Sequence, residues 1–330
     1  MIVVIGGAGY VGGTVVESLI EAGKEVCVVD DFSTGHRATL AVLPDEIPYY
    51  EADMADKNLI AQLADKYDVE VVMHFAALAL VGESMQQPAR YWEHNFLKSK
   101  QMIDTWITHD VDKFIFSSTA ATYGEPQIIP IPENHPTNPI NPYGRSKRAV
   151  EWYLEDLHQS RGLKSISLRY FNAAGAGKQV GEDHDPETHL IPIVLEVAEG
   201  RRENINIYGT DYKTRDGSCL RDFVHVKDLA RGHMLAVEKL DELECKRINL
   251  GTATGHTVKE VIETARRITG KKIKACKAAR RAGDPARLVA DNKKAHRLLG
   301  WQPRHDLETI IEDAWRWKQS HPGGYQNSPS

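Results

Sequence analysis

The chain has 330 residues, four cysteines and a formal net charge of −5 at pH 7. With 42% hydrophobic and 26% charged residues it is no disordered or fibrous chain, and its length exceeds what one core supports, so two lobes are expected. The mild negative charge leaves no basic footprint for nucleic acid and no polybasic membrane patch.

Cys27, Cys219, Cys245 and Cys276 make no C-x-x-C pair. Scattered thiols without a zinc or dithiol motif fit a reducing compartment. Met1–Gly13 is apolar without a basic start, and the longest apolar run, 71–81, is too short to span a membrane. A cytoplasmic, soluble protein is expected.

In chain order, strand Ile2–Ile5 runs into Gly6-Gly7-Ala8-Gly9-Tyr10-Val11-Gly12. Here G-x-G-x-x-G and G-x-x-G-x-x-G overlap ahead of a helix over Val11–Glu21. Such glycines permit a tight turn and close approach of a pyrophosphate, which meets the positive end of the helix. A second strand, Glu25–Val29, ends at Asp30, 18 residues after Gly12. A carboxylate there accepts from a ribose and repels a 2′-phosphate, favouring NAD over NADP. The competing reading is a glycine-rich turn with a capping Asp. Asp53, after a third strand, is either an adenine contact or a solvated turn acid. Strands at Val69–Phe75, Lys113–Ser118 and Ser165–Tyr170, separated by helix-length segments, predict a parallel sheet.

The strand ending in Ser117-Ser118-Thr119 presents hydroxyls where ligands of open parallel sheets collect. Asn141 then caps a helix with Pro142 at its first position. Val150, Tyr153, Leu154 and Leu157 form its buried stripe, and Gly162 stops it. On it, Tyr143 and Lys147 share a face at i and i+4. A nearby lysine cation lowers a phenol's pKa from about 10. So tuned, Tyr143 could take a proton from a sugar hydroxyl, with Thr119 bonded to the same group.

Beyond residue 173 the chain turns loop-rich over Gly175–Pro192. His184 and His189 there lack an organised third ligand, so no metal is expected. Thr257 and Glu260 predict a capping box for a helix ended by Gly270, and Asp306 caps another. The tail His321–Ser330 is expected to fray.

Gly6-x-x-Gly9-x-x-Gly12, Ser117-Ser118-Thr119 and Tyr143-x-x-x-Lys147 together resemble the extended short-chain dehydrogenase/reductases. The resemblance narrows to the UDP-sugar 4-epimerases through His74-Phe75-Ala76-Ala77-Leu78, Val81-Gly82-Glu83-Ser84, Arg169-Tyr170-Phe171-Asn172, Leu220-Arg221-Asp222-Phe223-Val224-His225-Val226 and Arg280-Arg281-Ala282-Gly283-Asp284. It covers about residues 1–320.

It implies a Rossmann-type doubly wound α/β sheet over 1–173, to which segments near 220–245 return. A smaller C-terminal α/β domain over 174–330 would bind the UDP-sugar. It implies retained NAD, interconversion of UDP-glucose and UDP-galactose through a transient 4-keto sugar, and a homodimer through helices Trp92–Trp106 and Ala149–Leu163. Tyr143, Lys147 and Thr119 would be catalytic. Gly6, Gly9, Tyr10, Val11, Gly12, Asp30, Asp31, Phe32, Ser33, Asp53, Met54, Phe75, Ala76, Ala77 and Phe171 would hold NAD with Tyr143 and Lys147. Thr119, Tyr143, Asn172, His189, Leu190, Asn206, Tyr208, Arg221, Arg281, Asp284 and Leu288 would hold the substrate.

On physical grounds Arg221 and Arg281 suit diphosphate oxygens. Arg281 could instead belong to a solvated basic face, and Arg221-Asp222 to a surface ion pair. This chain departs from the pattern at Ala79, usually Lys, at His94-Asn95, usually Asn-Asn, at His189, often Asn, and at the pocket gate Leu288. Leu288 favours plain hexoses over N-acetyl sugars.

Ala120-Ala121 after Thr119 argues against a 4,6-dehydratase or a UDP-glucuronate decarboxylase, which carry acids there. Asp30 disfavours an NADP-linked reductase. The presence of both Tyr143 and Lys147 argues against a non-catalytic NAD sensor.

Overall fold

The computed structural model describes residues 1–43, 46–281 and 285–325. In chain order it carries β1 (Ile2–Ile5), α1 (Tyr10–Glu21), β2 (Val26–Asp30), α2 (Arg37–Ala41), β3 (Tyr49–Glu51), α3 (Lys57–Lys66), β4 (Val71–His74), α4 (Val81–Gln86), α5 (Pro88–Tyr91), α6 (Ser99–Thr108), β5 (Lys113–Thr119), α7 (Pro142–Arg161) and β6 (Lys164–Tyr170). There follow β7 (Asn172–Ala174), α8 (Leu190–Ala198), β8 (Ile205–Tyr208), β9 (Leu220–Arg221), β10 (Phe223–His225), α9 (Val226–Leu243), β11 (Cys245–Leu250), β12 (His256–Thr257), α10 (Val258–Thr269), β13 (Ala275–Ala278), β14 (Arg287–Leu288), α11 (Lys293–Leu299), α12 (Leu307–Ser320) and β15 (Pro322–Tyr325).

Seven parallel strands form the main sheet in the order β11-β6-β5-β4-β1-β2-β3. Both faces of its central strands are covered, which is why they read as unbroken apolar runs. Alternate residues part to opposite cores. Ile2 and Val4 join α1 and α9 on one face, whereas Val3 and Ile5 pack with Met102 and Trp106 of α6 on the other. The chain returns to this sheet late, with α9 against α1 and β11 beside β6. Strand order reverses at β1 and β4, which opens a crevice at their carboxyl ends.

Local chemistry sets the helices that matter. The Asn141 side chain accepts from Gly144 N at 2.8 Å, Pro142 opens α7, and Gly162 closes it at φ 76°. Thr257 and Glu260 form the reciprocal capping box of α10, closed by Gly270 at φ 66°. A seven-residue π-helix, Trp92–Lys98, leads into α6, a break in period that the sequence pattern did not disclose.

The second lobe gathers α8, α10 and α12 around Ile191, Val194, Leu195, Val261, Ile262 and Ile310. Two small sheets edge it: β8 with β13, and β9 between β12 and β14. Of the tail expected to fray, 326–330 lie outside the described residues, and residues 321–325 do not fray. Through Tyr325 they dock: Tyr325 is buried with Trp317 and Ala176, its N–H donates to Asp183 Oδ2 at 2.8 Å, and its hydroxyl accepts from Gly181 N at 3.1 Å. One buried aromatic outweighs the turn-forming Pro-Gly-Gly that precedes it.

Candidate active site

A cleft of about 1060 Å³ lies at the carboxyl ends of the central strands, facing the second lobe. On its sheet side the β1–α1 turn is held open by glycine. Gly6 has φ 81°, and a Cβ there would lie 2.4 Å from Ala76 N; one on Gly12 would lie 2.1 Å from the Gly6 carbonyl oxygen. The first turn of α1 has neither a capping side chain nor an acid, so its amides are left for an anion. A Cβ on Gly9 would meet only the Gly6 oxygen, at 3.6 Å, within the cleft wall.

Asp30 completes this cradle. Its Oδ2 accepts from Ala8 N and its Oδ1 from Phe32 N, both at 2.9 Å. Burial pushes its carboxyl up, and the two amides oppose that. An uncapped helix start over a glycine turn with an acid at the next strand end fits a dinucleotide. Tyr10, Val11, Asp31, Ser33, Met54, Phe75, Ala76, Ala77 and Phe171 line the same cleft. Phe32 and Asp53 do not, contrary to expectation. Phe32 lies under the Arg37 guanidinium, 4.3 Å from its ring centre, and Asp53 is engaged by Lys98 and by Ala55 N.

At the centre, β5 ends in Thr119 and α7 starts beside it. A Cβ on Gly144 would lie 2.5 Å from the Ala121 carbonyl oxygen, so the missing side chain lets the helix rest on the turn after Thr119. Tyr143 and Thr119 thereby share the cleft. Burial raises the Tyr143 phenol, and the Thr119 hydroxyl opposes that rise.

Lys147 is buried and lines the cleft too. Its Nζ donates to the Ser117 carbonyl at 2.9 Å rather than to the phenol, and lies 4.8 Å from the Phe116 ring centre. Burial pushes the Lys147 ammonium down to about 7, against the pull of Glu151.

From the second lobe come Asn172, His189, Leu190, Asn206, Tyr208, Arg221, Arg281 and Leu288. Arg281 stacks on Tyr208, 3.8 Å from its ring centre. The basic run therefore divides: Arg280 turns to Asp211, and Arg281 faces the cleft. Arg221 and Asp222 likewise part. Asp222 is fully buried and accepts from the Thr252, Ala253 and Ala290 amides, whereas Arg221 lines the cleft. Leu288 packs with Ala120, Tyr123, Ile131 and Phe171. Asp284 lies outside the described residues.

The roles of several residues in and just behind the wall escaped sequence reasoning. Asn95 pins the loop over α7 by exchanging two hydrogen bonds of 2.9 Å with Leu78, one accepted from its N–H and one donated to its oxygen. Glu182, His184 and Cys219 also border the cleft. The ground for setting a metal aside at His184 and His189 fails, because Glu182 and Glu187 stand against these imidazoles. Against the lowering effect of burial, those carboxylates hold His189 up at about 11.

Comparison with known proteins extends these observations. The chain is 48% identical over 328 residues to the UDP-glucose 4-epimerase of Halalkalibacterium halodurans, spanning 98% of this chain and 97% of that protein. It superposes on a crystal structure of a UDP-glucose 4-epimerase with a TM-score of 0.94 at 45% identity, covering 98% and 99% of the two chains. The Bifidobacterium longum UDP-glucose 4-epimerase, solved in complex with NAD+ and UDP, gives 0.92 at 34% identity, with 98% and 99% covered. Residues 2–251, which take in the glycine turn, Thr119, Tyr143 and Lys147, match the family model as well, and with them the chain belongs to the NAD dependent epimerase/dehydratase family.

Proposed function

We propose that this protein interconverts UDP-glucose and UDP-galactose with NAD held in the cleft. The observation that carries this reading is a single cleft with three linked parts. It joins an uncapped glycine turn with Asp30, a Tyr143–Thr119 pair at the end of β5, and a far wall bearing Arg221 and Arg281.

Bound NAD supplies an acceptor that takes a hydride from C4 and returns it within the cycle. Tyr143 takes the proton of the C4 hydroxyl and later gives it back. Thr119 hydrogen-bonds at the same oxygen and favours the ionised phenol. Lys147, fixed by the Ser117 carbonyl, holds the cofactor ribose. Arg221 and Arg281 meet the diphosphate, and Tyr208, under Arg281, faces the uracil. Ala120 and Ala121 line the cleft where a dehydratase would need its acids.

Purified protein given UDP-galactose should form UDP-glucose without net change in NAD. A 4-keto-6-deoxy product, or no conversion with or without added NAD, would sink this reading.

The main sheet, with α9 and β11 returned to it, holds NAD, and the second lobe holds the nucleotide sugar. Asp30→Ala should weaken NAD binding at least about tenfold, since charge-assisted bonds to the ribose contribute roughly 1.5–3 kcal/mol. Titration of cofactor-stripped protein, followed by fluorescence, measures it.

The protein works as a cytoplasmic homodimer. No helix among the described residues is long and apolar enough to cross a membrane. Trp92, Leu97 and Trp152 are exposed on the two helices expected to pair, Trp152 by 50%. Exposed together on two helices that pack against each other, these side chains suit an association surface. Trp152→Arg should convert the dimer to a monomer in light scattering; an unchanged mass would place the interface elsewhere.

A further inference from the structure

The segment leading into α8 brings four ligating side chains to one point on the cleft rim. Glu182 Oε1 lies 2.8 Å from His189 Nδ1 and 3.4 Å from His184 Nδ1, and Glu187 Oε1 lies 2.9 Å from His189 Nδ1. One ligand atom from each residue falls within 4.8 Å of all the others. None of the four takes part in the chemistry at Tyr143.

We propose that Glu182, His184, Glu187 and His189 form a binding site for a divalent transition-metal ion such as Zn²⁺. Two imidazoles with two carboxylates suit zinc and its neighbours, whereas calcium and magnesium take oxygen donors. Tetrahedral bonds of about 2.0–2.2 Å set ligand atoms about 3.3–3.6 Å apart. The 3.4 Å contact already has that spacing, and the two shorter ones reach it by opening about half an ångström or a little more.

One independent feature supports an ion here. His184 Nδ1 is buried yet makes no hydrogen bond, because its 3.4 Å approach to Glu182 is poorly aligned. The frame is also rigid. Gly181 and Asp183, on either side of Glu182, are bonded to Tyr325, and the Asp183 carbonyl is 2.8 Å from His36 Nε2. The site is therefore organised before any ion arrives.

The test is metal uptake by chelator-treated protein, with Zn²⁺ in competition with a chromophoric chelator. One ion per chain is expected. His184→Ala and Glu187→Gln should each weaken uptake at least tenfold while leaving the metal-free melting curve unchanged. No stoichiometric uptake would mean an imidazolium–carboxylate cluster only, and overturns the site. Uptake indifferent to both substitutions places the ion elsewhere and overturns it equally. Neither readout uses turnover, so failure here leaves the epimerase reading standing.

Discussion

Tyr143→Phe is expected to lower kcat for UDP-galactose by about 10²–10⁴-fold, the range for a lost general base, with little change in KM. The substitution removes one oxygen from a ring that is otherwise retained, including its edge-on packing with Tyr91 at 6.4 Å between centres. On the proposed reading substrate binding rests on the far wall of the cleft, where Arg221, Arg281 and Tyr208 lie, and should persist. A coupled assay of UDP-glucose formation, with UDP binding measured separately, divides the two effects. An active Tyr143→Phe enzyme would overturn the assignment of the base.

The same residue sets the pH dependence. A base works deprotonated, and burial raises the Tyr143 phenol. The rate should therefore climb with pH through the neutral and into the alkaline range. Thr119 holds the phenol lower than burial alone would leave it. Thr119→Ala should thus displace the climb to higher pH as well as slow the plateau, whereas Tyr143→Phe should leave a residual rate with no such climb.

Much of this site was legible in the sequence because its determinants are local. A strand, a glycine turn and an acid 18 residues on need no tertiary information, nor does a helix framed by Asn141-Pro142 and Gly162. What escaped depends on contacts distant in sequence. β8 and β13 are four-residue strands about 70 residues apart, each too short for a periodic signal until paired. Asp53 follows a strand as expected, but Lys98, the last residue of the π-helix, claims its carboxylate. Glu182 and Glu187 flank the histidines in plain view. Only the folded loop turns four side chains of one segment to a common point. Tyr143 and Lys147 do share a helix face, yet the lysine bonds the Ser117 carbonyl. An i, i+4 spacing fixes a side, not a partner.

That lysine rests on a second layer of charge, and breaking it should be the costliest change to stability. Glu151, one turn beyond Lys147 on α7, is 1% exposed. It accepts from Ser118 Oγ at 2.6 Å, from Arg169 Nε at 2.8 Å and Nη2 at 2.6 Å, and from Arg148 Nη1 at 2.9 Å. Arg169 is fully buried. Glu151→Ala would leave that guanidinium without its counter-charge, a loss of about 3–5 kcal/mol. At roughly 2–4 °C per kcal/mol for a protein of this size or somewhat smaller, Tm should fall by about 10 °C.

The sign with pH follows from the carboxyl. Burial alone would raise it, but the bonds from Arg169, Ser118 and Arg148 hold it below its ordinary value. Its stabilisation is complete above the unfolded carboxylate pKa and is lost as pH falls through the lower folded value. Wild type and Glu151→Ala should therefore converge in Tm toward strong acid and differ fully at neutral pH. Replacing Glu151 and Arg169 together by apolar residues should recover part of the loss, because the double change leaves no lone buried charge. Ser118 lies between the carbonyl that holds Lys147 and the threonine beside Tyr143. Glu151→Ala should accordingly lower kcat even at temperatures where it stays folded. A variant melting within about 1 °C of wild type would mean that the network positions β5 without stabilising the fold.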